Sequence, residues 1–174
     1  MIIRLIAMRR ATIFALAVVL AGVFILPALA DTSNVTVKWT IPQDVSFSVA
    51  YPTGLTAIEF EPTGASFTNE PAKSQDATTP AINFTNTGNV NIDLSAAFTA
   101  DFPTNVTEFR INTTNDYNGG WYWTDSNETT SQTIKTDLAP GSTVEYWAWT
   151  SSTGKVPYSA TPYERTWQIT SSAS

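Results

Sequence analysis

Apolar and polar residues alternate one for one along most of the chain beyond residue 34. Val35, Val37, Trp39 and Ile41 are separated by Thr36, Lys38 and Thr40, a period of two that predicts a strand with one apolar face. Val45, Phe47, Val49 and Tyr51 repeat it against Ser46, Ser48 and Ala50, and Val90, Ile92, Leu94, Ala96 and Phe98 carry it furthest. Shorter versions predict strands over 58–61, 81–86, 108–112, 120–124, 132–136, 144–150 and 165–170. Nothing after Leu26 shows a 3.6-residue period. Pro42-Gln43-Asp44, Pro52-Thr53-Gly54, Pro62-Thr63-Gly64, Asn86-Thr87-Gly88-Asn89, Asn118-Gly119-Gly120 and Pro140-Gly141 supply turn chemistry between the strands, and 68–80 reads as a long surface loop. Nine or ten short strands, each apolar on one face and polar on the other, predict an all-β, antiparallel β-sandwich of immunoglobulin-like or jelly-roll type.

The first thirty residues follow a different pattern. Arg4, Arg9 and Arg10 precede an uncharged run that Pro27 interrupts just before Ala28-Leu29-Ala30, the order of a secretory signal peptide. The expected organisation is a signal helix over 1–30 and a single β-sandwich domain over 31–174. A retained membrane anchor is the competing reading, and contact with membrane is expected only through that segment if it stays uncleaved.

Composition narrows the chemistry. The 174 residues include no Cys and no His, which removes disulfides, thiol nucleophiles, Ser-His-Asp triads and ordinary zinc sites. Taking Arg4, Arg9 and Arg10 from nine basic residues leaves six against fifteen acidic ones, so the domain carries a net charge of −9. Nucleic acid is excluded as a partner, because phosphate binding needs clustered Lys and Arg. No cofactor and no catalytic residue is expected. Glu59, Glu61, Glu108, Asp125 and Glu145 are the carboxylates a glycosidase would draw on, but nothing in their spacing pairs them. Asp125-Ser126-Asn127-Glu128 and Asn115-Asp116 with Asn118 offer oxygens of the kind Ca²⁺ takes, yet such clusters also build turns; no metal is assigned.

Three groups of residues remain as candidates. The first is the strand holding Val35, Val37, Trp39 and Ile41. It follows the expected cleavage site directly and is ended by Pro42, so it either closes its own sandwich or pairs with a second subunit. The second comprises the pairs Trp121 with Trp123 and Trp147 with Trp149. Each W-x-W puts two indoles on one strand face, as a platform for stacking sugar rings or as core. The third is the set of N-glycosylation sequons at Asn34, Asn83, Asn105, Asn112 and Asn127.

The run Ile82-Asn83-Phe84-Thr85-Asn86-Thr87-Gly88-Asn89-Val90, with Leu138-Ala139-Pro140-Gly141-Ser142 after it, resembles the F-x-N-x-G-N and L-x-P-G-x pattern of secreted immunoglobulin-like surface domains. The plan of a signal peptide, an early exposed strand and a Cys-free sandwich is similar to filament subunits of the TasA/camelysin type and to archaeal bundling-pilus proteins. That resemblance implies subunits joined by a terminal strand of one completing the sheet of the next. The expected function is a secreted, glycosylated structural protein of the cell surface, a filament or pilus subunit or adhesin, partnered by itself or by other surface proteins. The alternative is an extracellular carbohydrate-binding module that recognises glycans through its Trp pairs.

Overall fold

The computed structural model describes residues 36–174, so the expected signal helix lies outside the described residues. Nine strands follow in order: β1 (Phe47–Ala50), β2 (Glu70–Pro71), β3 (Ile82–Asn86), β4 (Ile92–Phe98), β5 (Val106–Asn112), β6 (Trp121–Thr124), β7 (Gln132–Leu138), β8 (Thr143–Ser152) and β9 (Trp167–Ala173). All pairings are antiparallel. One sheet runs β1-β3-β8-β5-β6, with β2 alongside the far half of β8, and the other runs β7-β4-β9. Two antiparallel sheets with one apolar face each are what the period-two pattern requires.

Alternation places the core. In β3 and β4 every second residue is buried, Ile82, Phe84 and Asn86 in one and Ile92, Leu94, Ala96 and Phe98 in the other. Phe98 of the small sheet meets Phe109 of the large one edge to face, their ring centroids 5.1 Å apart, and Trp123 and Trp167 pack around them. Aromatic rings supply the apolar area that a core poor in Leu would lack.

Two expected strands are absent. Residues 36–46 form no strand, because the first ladder begins at Phe47, and 58–61 is also unladdered. Conversely, the expected loop over 68–80 contributes β2. Its remainder fills the step along β8 between β3 and β2: Ala148 N donates to Gln75 Oε1 and Ala72 N to Ala148 O, so the β8 backbone stays bonded where no strand reaches it.

The Asn86-Thr87-Gly88-Asn89 and Leu138-Ala139-Pro140-Gly141-Ser142 segments meet at Asn86. Its amide is wholly buried; Nδ2 donates to Val90 O at 2.8 Å and to Leu138 O at 2.7 Å, while Oδ1 accepts from Gly88 N. Its backbone bonds Gly141 and Ser142. One side chain thus ties the Asn-Thr-Gly-Asn turn to the Pro-Gly turn and β3 to the end of β7. Asn86→Leu would strand buried polar groups at about 1–3 kcal/mol each. Urea unfolding is expected to show a lower midpoint and a free energy of unfolding reduced by that order, and an unchanged midpoint would show that water replaces the amide.

Three carboxylates, Asp44 and Asp76 in turns and Asp93 in β4, are held in their ionised form. Asp76 accepts from Thr78 N and Thr79 N, Asp44 from the Ser46 hydroxyl and amide, and Asp93 from the Ser174 hydroxyl and Asp137 N; these bonds lower each carboxyl below its ordinary range. The folded state therefore favours the charged form, and this contribution is present above the unfolded carboxyl value near 4 and lost as pH falls through the lower folded values. Thermal unfolding should show a melting temperature that drops below about pH 4. Asp76→Asn should flatten part of that drop, and an identical pH profile in the variant would remove Asp76 from the account.

Candidate functional site

The four indoles form no common face. β6 and β8 are separated by β5, and the registers Trp121–Ile111–Ala148 and Trp123–Phe109–Thr150 put Trp121 and Trp123 on the inner side of the sheet. Trp147 and Trp149 sit opposite Asn112 and Arg110 and so point outward. Trp123 is fully buried, its Nε1 donating to Thr130 O, and Trp121 packs edge-on against Tyr146. The outward pair is covered as well: Trp147 Nε1 donates to Asp76 O at 2.6 Å, beneath the loop that follows β2, and Trp149 meets the Tyr117 ring edge to face. Directly paired strands would be needed to bring all four indoles together; β5 lies between β6 and β8, and the two registers turn the pairs to opposite sides of the sheet.

Beside Trp149 lies a polar cluster. The Arg110 guanidinium rests over the Tyr117 and Tyr122 rings, 4.6 and 4.8 Å from their centroids, and its Nε donates to Glu108 Oε1 at 2.8 Å. The Tyr117 hydroxyl donates to the same oxygen, and Arg110 Nη1 to Gly119 O. The bonds to Tyr117 and Gly119 run between β5 and the following turn, which makes the cluster a fastening for the 113–120 turn. Burial and the bond to Glu108 push the Tyr117 hydroxyl above its usual range.

The remaining oxygen-rich segments are also turned to the backbone. Asp116 Oδ1 accepts from Asn118 N, and Asn127 Oδ1 from Thr124 N. Among the described residues no group of three or more acidic side chains is placed to hold a metal ion. Glu59 and Glu61 both accept from Lys73 Nζ at the surface. Of the sequons, Asn105 donates Nδ2 to Lys155 O and Asn112 donates it to Asp116 O; Asn83 and Asn127 are half-buried, and Asn34 lies outside the described residues.

The described part of the segment Val35 to Ile41 is the strongest anomaly in exposure. Trp39 is 79% exposed, Ile41 77% and Val37 57%, and among the described residues no strand pairs with residues 36–41. Large apolar side chains at period two have no reason to stand in water unless something covers them.

Within the domain, the two sides of the sandwich are closed differently. On one side β6 and β7 are joined by Gln132 Nε2 donating to Tyr122 O and by Trp123 Nε1 donating to Thr130 O. Nearby, the Tyr146 hydroxyl crosses the core to Ile134 O, and burial pushes its titration well above the usual phenol range. On the other side the edge strands are β1 and β9, tied at one end by Ser171 Oγ donating to Val45 O. Beyond that tie lies a groove of about 730 Å³, which Val106 of β5 and Phe102, Pro103, Val156, Pro162 and Tyr163 of the neighbouring loops also line. Phe47 and Val49 of β1, Phe84 of β3 and Trp167 and Ile169 of β9 line it, with Ile58 and Phe60 forming a wall. The inward residues of both edge strands are consequently only half covered, and Val49 is 42% exposed. The indole N–H of Trp167 is buried without a partner among the described residues.

Sequence patterning could not foresee this groove, since Val49 and Ile169 carry the same alternation as fully buried positions. The apolar alternation over Val35 to Ile41 and the break at Pro42 were legible; whether the segment is covered within its own domain was not. Compared with protein-family models, curated proteins and solved structures, the chain finds no match in any of the three.

Proposed function

We propose that the protein is a secreted structural protein of the cell surface, glycosylated and without catalytic activity, whose subunits assemble by strand exchange into a filament or pilus. The observation that carries this reading is the exposure of Val37, Trp39 and Ile41, an alternating apolar row for which no strand pairing is present among the described residues. The groove between β1 and β9 offers the complementary surface on a second copy. A strand laid along the free edge of β9 would bond its backbone to that edge and turn Val35, Val37, Trp39 and Ile41 toward Phe47, Val49 and Ile169. The lengths agree: the segment has seven residues, as does β9, about 23 Å at 3.3 Å per residue. At about 730 Å³ the groove lies within the range of sites that bury most of a bound group.

The processed protein is expected to sediment as a large species and to appear as filaments in electron micrographs. Trp39→Asp, which alters an exposed side chain, is expected to keep the fold and leave a monomer. A wild-type protein that stays monomeric at high concentration, or a Trp39→Asp variant that assembles normally, would refute the reading.

A further inference from the structure

We propose that Asn89 is a positioning residue for assembly: it holds the chain at Pro42, directly after the apolar segment, and so limits the backbone conformations that lead into that segment. This inference rests on the strand-exchange reading above. Asn89 Nδ2 donates to Pro42 O at 3.0 Å, its Oδ1 accepts from Asp44 N at 2.8 Å, and its backbone N donates to Asp44 O at 3.0 Å. Thr87 N and Gly88 N both donate to Ser46 O. Five bonds from one turn therefore grip residues 42–46, ahead of the first ladder residue, Phe47.

Closeness of approach makes the grip specific to this turn. A Cβ at Gly88 would stand 2.0 Å from Asp44 O, so the backbone of residue 44 lies flat against the turn only because residue 88 has no side chain. Pro42 adds its own constraint, since a residue before proline is pushed toward extended backbone, the conformation Ile41 needs to continue a strand. The bonds of Asn89 contribute little to the core, because they lie at the surface and hold a stretch that belongs to neither sheet. Their consequence is to reduce the conformations open to the segment before it docks, which lowers the ordering cost of docking.

The test separates donating a segment from accepting one. Asn89→Ala is expected to melt within a few degrees of wild type and to bind a labelled synthetic peptide of residues 31–41 with wild-type affinity, because its own groove is intact. Its critical concentration for assembly should rise about tenfold, as loss of two hydrogen bonds to the anchored chain allows. Asn89→Asp keeps an acceptor for Asp44 N and loses the donor to Pro42 O; it should share the assembly defect, which covers the case in which the alanine variant folds poorly. Equal critical concentrations for wild type and both variants would overturn the role of Asn89 while leaving strand exchange standing. A parallel loss of peptide binding would also overturn it, since the effect would then be on the fold of the acceptor. If wild-type protein neither assembles nor binds the peptide, the strand-exchange reading falls, and with it this inference.

Discussion

Trp123→Ala is expected to cost about 3–5 kcal/mol, a large share of a total domain stability on the order of 5–15 kcal/mol. The side chain has no exposed surface and packs against Trp167 and Phe109, with ring centroids 5.6 and 6.0 Å away. It also carries one of the two hydrogen bonds that close the β6–β7 side, from Nε1 to Thr130 O. Removing it leaves a cavity at the meeting point of the two sheets and an unbonded carbonyl, and neither loss is made good by the rings around it. Chemical denaturation followed by circular dichroism measures the cost, and a variant within 1 kcal/mol of wild type would mean that the aromatic cluster repacks. Trp147→Ala works on the outer face, where the expected loss is the covering loop over β8 rather than the core.

Gly120→Ala is expected to be nearly as damaging for so small a change. Gly120 has φ +71°, where a side chain is strained, and a Cβ there would stand 2.0 Å from Ile111 O and 2.9 Å from the Asn112 Cα. Both obstacles are backbone of β5, at the end of the β5–β6 pairing, so relief requires opening the ladder at Ile111 and Trp121. The conformational penalty is about 1–2 kcal/mol, and the displaced pairing adds to it. Amide hydrogen exchange should localise the damage, with protection lost at Trp121–Thr124 and kept at β4 and β9. Loss spread evenly over both sheets would contradict this placement.

These predictions depend unequally on what the amino-acid order states. Alternation over Val90–Phe98 predicts strand, face and burial together, and β4 matches it residue for residue because a strand packed on one face admits no other register. The turns before β4 and β8 were equally legible, since Gly-Asn and Pro-Gly pairs bend the chain by their own backbone preferences. The pattern over 58–61 misled: Ile58 and Phe60 do face inward, but they line a groove, and the segment is fastened by Lys73 N donating to Glu59 O rather than by a ladder. Period two reports which residues want cover and is silent on what covers them.

The Trp pairs show the same division. Each W-x-W was correctly a pair sharing one side of one strand, a consequence of the pleat. Whether the pairs shared a side with each other depended on β5 coming between β6 and β8 and on the one-residue phase of each register, which are properties of the sheet.

What the sequence by itself determined is the class, two apolar-faced antiparallel layers without helix in the described residues, because side-chain periodicity and turn chemistry act over a few neighbouring residues. Tertiary structure alone decided that one side of the sandwich is closed by Gln132 and Trp123 while the other stands open between β1 and β9. It alone decided that Asn89 grips Pro42 across 47 positions of chain. Such features come from the meeting of distant segments, where each hydrogen bond and each uncovered side chain depends on residues that local pattern does not relate.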